Sequence, residues 1–135
     1  MARMRKQAAA AASALVLTLA LAAACGDHGG HPRTATGTLE QLAAKAGCEP
    51  DIQTDATELR QADCATDGGR YVLMTFATDR GRREWLNGAK DYGGAYLVGG
   101  TWVAVGDRTV VTALRGRLGG TVETGTSHHR ERHGS

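Results

Sequence analysis

Residues 59–77, LRQADCATDGGRYVLMTFA, decide the fold. Leu59 to Thr66 alternates weakly between apolar and polar, and Asp67-Gly68-Gly69 has the composition of a turn. Tyr71 to Ala77 is rich enough in aromatic and β-branched residues for a central strand. The stretch predicts an antiparallel hairpin, and the segments on either side supply what packs on it.

Upstream, Thr38-Leu39-Glu40-Gln41 fits a capping box, Leu39, Leu42, Ala43 and Ala46 recur at helical spacing, and Gly47 supplies a stop. Downstream, Thr78 or Asp79 can cap a second helix through Lys90, with Trp85, Leu86 and Ala89 as its buried stripe. Asn87-Gly88 is its weak point, and Gly93-Gly94 ends it. Ala95 to Val98 and Thr101 to Val105 then flank Gly99-Gly100, as in a tight hairpin or a bulged continuous strand. Residues 108–118 suit either a returning strand or a helix. The helix is favoured, because Asp107 can cap it, Val110, Val111, Leu114 and Leu118 fall on one face, and Gly119-Gly120 follows Arg115 and Arg117. The predicted class is α+β: one domain over residues 38–122, with a small antiparallel sheet of three to four strands and two to three helices packed on one face.

Outside that unit the composition changes. Residues 26–37 lack large apolar side chains and read as a flexible tether, which would hold the domain about 20 Å from its start on average. Residues 123–135 read as a disordered, His-containing tail. At the other end, Arg3, Arg5 and Lys6 precede an uncharged run from Ala8 to Ala24, the pattern of a secretory signal over residues 1–24. The run is close to the length of a membrane span, which is the competing reading.

Leu21-Ala22-Ala23-Ala24-Cys25-Gly26 resembles the lipobox of bacterial lipoprotein precursors, in which small residues precede an obligatory cysteine. The resemblance implies that Cys25 carries a thioether-linked diacylglycerol and becomes the mature N-terminus, often acylated on its amine as well. Two or more acyl chains anchor a protein stably where one does not. The pattern departs from the commonest lipobox at Ala22, where leucine is usual, and Ala22-Ala23-Ala24 also suits ordinary signal peptidase, which would give a soluble secreted product. The layout of the folded part is similar to small lipoproteins of high-GC bacteria with no assigned function, which adds no site.

With Cys25 given to lipid, Cys48 and Cys64 remain as an even pair in an oxidising compartment, predicting one disulfide. No Cys-x-x-Cys or neighbouring histidine favours a reactive dithiol. The chain carries 16 basic and 14 acidic residues, and removing Arg3, Arg5 and Lys6 leaves 13 against 14. A mature chain so close to neutral gives no electrostatic case for nucleic acid.

Serine occurs only at 13, 127 and 135, and histidine only at 28, 31, 128, 129 and 133, so residues 38–122 contain neither. A serine or cysteine nucleophile paired with histidine therefore has no rigid platform here. The glycine pairs match neither dinucleotide nor phosphate-loop spacing.

Four weaker candidates remain. Glu49, Asp51, Asp55 and Glu58 form an acidic stretch, read as a solvated loop ahead of a Ca²⁺ site or the acid/base pair of a carboxylate-based cell-surface hydrolase. Arg80, Arg82 and Arg83 are placed to meet anionic headgroups, or to pair with Asp79 and Glu84 along a helix face. His28, His31, His128, His129 and His133 offer extracytoplasmic metal capture as an alternative function. The aromatics Tyr71, Phe76, Trp85, Tyr92, Tyr96 and Trp102 form a core or leave a binding patch around Tyr71, Tyr96 and Trp102. The expectation is a non-enzymatic, lipid-anchored domain on the extracytoplasmic face of the cell membrane, needing no cofactor, with a binding or accessory role toward an unidentified protein or small molecule.

Overall fold

A computed structural model describes residues 32–126 of the chain. Along them run α1 (Leu39–Ala46), β1 (Asp51–Asp55), β2 (Leu59–Thr66), β3 (Gly69–Phe76), α2 (Asp79–Lys90), β4 (Ala95–Val98), β5 (Trp102–Gly106), α3 (Arg108–Leu118) and β6 (Thr121–Thr124). The class is α+β, as expected, but the open antiparallel sheet has six strands rather than three to four, in the order β1-β2-β3-β5-β4-β6.

Local signals set the helix ends. The Thr38 hydroxyl accepts from the Gln41 backbone N–H at 3.1 Å while the Gln41 side-chain oxygen accepts from the Thr38 N–H at 2.9 Å, closing the capping box of α1. Thr78 caps α2 through the Gly81 N–H at 3.0 Å, and the helix continues across Asn87-Gly88 to Lys90. Residues 108–118 are helical, although the Asp107 side chain makes no cap hydrogen bond. Gly99-Gly100 closes a hairpin between β4 and β5, with the Gly99 N–H bound to the Trp102 carbonyl at 2.9 Å.

The two crossovers explain the layering. The connection β3-α2-β4 and the connection β5-α3-β6 each skip one strand and move the same way across the sheet, but start from antiparallel strands. Crossovers of one hand must then lie on opposite faces. Two separate cores follow. Leu42, Leu73, Leu97, Trp102, Val111 and Leu118 are buried under α1 and α3, whereas Met74, Phe76, Leu86, Tyr96, Val98 and Val103 are buried under α2. The expectation of helices on a single face is therefore corrected. Strands covered on both sides carry near-continuous apolar runs, as β4 and β5 do.

β1 and β6 account for the two strands that had not been expected. Both are short sheet edges of mixed polarity, DIQTD and TVET, with most residues exposed or half-buried, so neither shows an alternating apolar pattern. Charge on an edge strand also deters pairing with a second sheet. The acidic stretch read as a loop is thus partly β1. It is tied to α1 through Arg60 of β2, which holds Glu40 with two nitrogens at 2.8 and 2.9 Å and Asp55 at 2.8 Å. Arg60 holds the Glu40 carboxyl down to about 2 from its ordinary 4.5.

The folded unit also reaches past both expected boundaries. Within the expected tether, Ala35 is buried, and its N–H donates to the Leu118 carbonyl at 2.7 Å. At the other end β6 runs to Thr124, and the Gly125 and Thr126 N–H groups bind the Gly94 and Lys90 carbonyls at 2.8 and 2.9 Å. Gly119, at φ 71 and ψ −159, lies where the N-terminal segment crosses α3, and a Cβ there would stand 2.6 Å from the Arg33 carbonyl oxygen. That backbone region is open essentially to glycine alone.

Candidate functional site

Cys48 and Cys64 form the expected disulfide, joining the end of α1 to β2 with 5.6 Å between Cα atoms. Cys25, His28, His31, His128, His129 and His133 lie outside the described residues.

The three aromatics expected as a binding patch are not an exposed patch. Tyr71 and Trp102 are buried in the α1/α3 core and Tyr96 in the α2 core, on the other side of the sheet. The Trp102 indole donates to the Ala35 carbonyl at 2.7 Å, and the Tyr96 hydroxyl to the Gly93 carbonyl at 2.6 Å. Trp85 packs between Phe76 and Tyr96, with ring centroids 5.9 and 6.3 Å away. Tyr92, beyond α2, is the exposed aromatic among the described residues.

Tyr71 differs from the other two. The residue is only 4% exposed, yet its hydroxyl has no hydrogen-bond partner among the described residues. A buried polar group left without a partner costs about 1–3 kcal/mol and calls for an explanation. Burial raises the ionisation of the phenol above its usual range, and the nearby Arg117 guanidinium opposes that shift. The phenol is accordingly neutral and can donate at ordinary pH.

Tyr71 forms part of the wall of a cavity of about 420 Å³ between the C-terminus of α1, the β2–β3 turn and α3. Gly47 supplies one side, where it ends α1 in the left-handed conformation at φ 82. A Cβ at Gly47 would come within 3.2 Å of the Arg117 guanidinium. The turn, held by the Gly68 N–H donating to the Thr66 hydroxyl at 3.2 Å, supplies the second side, and Val110, Ala113, Leu114 and Arg117 of α3 the third. Arg117 is exposed and forms no ion pair with a carboxylate among the described residues, and Asp67 is the one carboxylate in the wall. The cavity thus sets an exposed cation and one carboxylate among walls of mixed polarity, with the Tyr71 hydroxyl shut off behind them. Residue spacing gave no sign of it. Arg117 and Gly47 read only as helix-end residues, and 70 positions separate them.

The other sequence candidates fare differently. A second, more open cavity of about 530 Å³ is lined by residues that include Glu49, Asp51, Asp63, Arg70, Tyr71 and Val105. Asp51 there stands opposite Asp63 in register, while Asp55, near the other end of β1, is paired with Arg60. No group of three or more His, Cys, Asp or Glu side chains suited to a metal occurs among the described residues. Arg83 pairs with Asp79 at 2.8 Å and Arg80 with Glu84 at 3.0 Å, an ion-paired helix face. Exposed pairs of this kind are worth little.

No protein-family model, curated protein or solved structure matches the chain.

Proposed function

We propose that this protein is a lipid-anchored extracytoplasmic domain with a binding role, held at the membrane through Cys25. The basic start, the uncharged run and the lipobox-like Leu21 to Gly26 support the anchor. The Cys48–Cys64 disulfide accords with an oxidising compartment. The binding role is carried by one observation: a cavity of about 420 Å³ between α1, the β2–β3 turn and α3 whose wall carries Arg117, free of carboxylate partners among the described residues.

Intact mass of the protein from its host's membranes, before and after reduction and alkylation, tests the anchor. A lipid-modified species beginning at Cys25, with two thiols appearing only on reduction, is expected. An unmodified species beginning at Cys25, or one retaining Met1, would replace the lipid anchor with a secreted protein or a spanning segment.

A further inference from the structure

We propose that the β6 edge pairs with the β6 edge of a second copy of this chain, antiparallel and about a two-fold axis at Val122, so that two six-stranded sheets become one. The inference goes beyond the binding role and rests on neither the cavity nor the lipid anchor.

The two edges of the sheet are not alike. β1 has a bulge between Ile52 and Thr54 and an exposed aspartate at each end, both devices that keep an edge from pairing. β6 has no bulge, and its single charged residue, Glu123, is already held by Lys90 of the same chain at 2.6 Å. Its main chain is open to a partner. The Gly125 N–H binds the Gly94 carbonyl, so the alternation of the antiparallel ladder turns the N–H and C=O groups of Val122 and Thr124 away from β4. No backbone hydrogen bond among the described residues uses them. α3 packs chiefly on β4, one strand in, and so stands back from the edge.

A second copy fits this edge because the edge is self-complementary. A two-fold axis normal to the sheet requires facing residues to point to the same side, and an axis at Val122 meets that condition. Val122 then faces Val122 of the partner subunit, and Thr121 faces Glu123 of the partner subunit. A β-branched pair meets at the centre and no carboxylate opposes another. Pairing of β6 with β1 of another copy would not close and would run on as a fibre, which the aspartates and bulge of β1 oppose. Tyr92, 83% exposed, lies two residues before Gly94 at the end of this edge. It supplies aromatic contact area of the kind that interfaces concentrate.

Cysteine cross-linking of the full-length protein in mild detergent tests the register. Residues facing each other at the axis have Cα atoms about 5.5 Å apart, within disulfide reach, whereas the two copies of Thr124 stand about 14 Å apart. Under mild oxidation Val122→Cys is expected to give at least about fivefold more cross-linked dimer than Thr124→Cys, or than Ile52→Cys on the β1 edge. Cys25 is common to all three variants, so any cross-linking through it cancels in the comparison. In sedimentation equilibrium Thr121→Glu should weaken association about tenfold, because it sets two like-charged pairs across the interface, while Thr121→Lys should not. Thr121 is exposed, so both variants should keep the wild-type Tm. Equal cross-linking of Val122→Cys and Thr124→Cys, preferential cross-linking of Ile52→Cys, or equal association of Thr121→Glu and Thr121→Lys would overturn the proposal. So would a protein that stays monomeric up to about 1 mM.

Discussion

The Trp102 indole nitrogen donates to the Ala35 carbonyl at 2.7 Å, across 67 positions of sequence. With the Ala35 N–H bound to the Leu118 carbonyl, both backbone groups of one residue are satisfied by the core, and the N-terminal segment is held against α3 before α1 begins. The chain therefore enters α1 from a fixed point on the folded unit.

Trp102→Phe keeps much of the ring volume but removes the donor and leaves the Ala35 carbonyl unmet. A loss of about 1–3 kcal/mol is expected in denaturant unfolding. Faster tryptic cleavage after Arg33 in the variant would show that the segment has been released, and unchanged cleavage would mean that Leu118 holds it alone.

Acid should weaken the link between α1 and β2. The folded-state value of Glu40 lies near 2 against an ordinary 4.5, so its contribution is complete above about pH 4.5 and disappears as pH falls through about 2. Thermal melts of wild type and Glu40→Gln should differ at pH 7 and converge toward pH 2, whereas a constant gap would contradict the Arg60 pairing.

Reduction of Cys48–Cys64 opens a loop of sequence separation 16. Chain-entropy arguments give a loss of about 3 kcal/mol, or about 12–24 °C in Tm for a domain this small. A Cys48→Ser/Cys64→Ser double variant melting with the oxidised wild type would refute a stabilising staple.

Two glycines should respond in opposite directions to alanine. Gly88 sits inside α2 with nothing within 4 Å of a Cβ, so Gly88→Ala should stabilise by about 0.5–1 kcal/mol. Gly119→Ala should cost about 1–3 kcal/mol from backbone conformation alone, before the clash with the Arg33 carbonyl. Equal effects at the two positions in chemical denaturation would contradict the crossing of the N-terminal segment over α3.

What the sequence determined by itself was local or periodic. The capping box at Thr38 and Gln41, the Asp67-Gly68-Gly69 turn, the helix over residues 108–118 and the class α+β rest on spacing within a few residues. The Cys48–Cys64 pair followed from counting cysteines on the expectation of an oxidising compartment. The unbroken apolar runs at residues 95–98 and 102–105 already carried the signature of a sheet covered on both faces. Only the tertiary structure decided which helix covers which face, because that depends on the direction and order of strands that pair across long separations. It also recruited β1 and β6, whose edge positions require no apolar alternation, and it buried Tyr96 and Trp102 with their polar atoms satisfied. The cavity of Tyr71, Gly47 and Arg117 was invisible for the same reason. Its three sides come from a helix end, a turn and another helix, and nothing in their spacing along the chain encodes their approach.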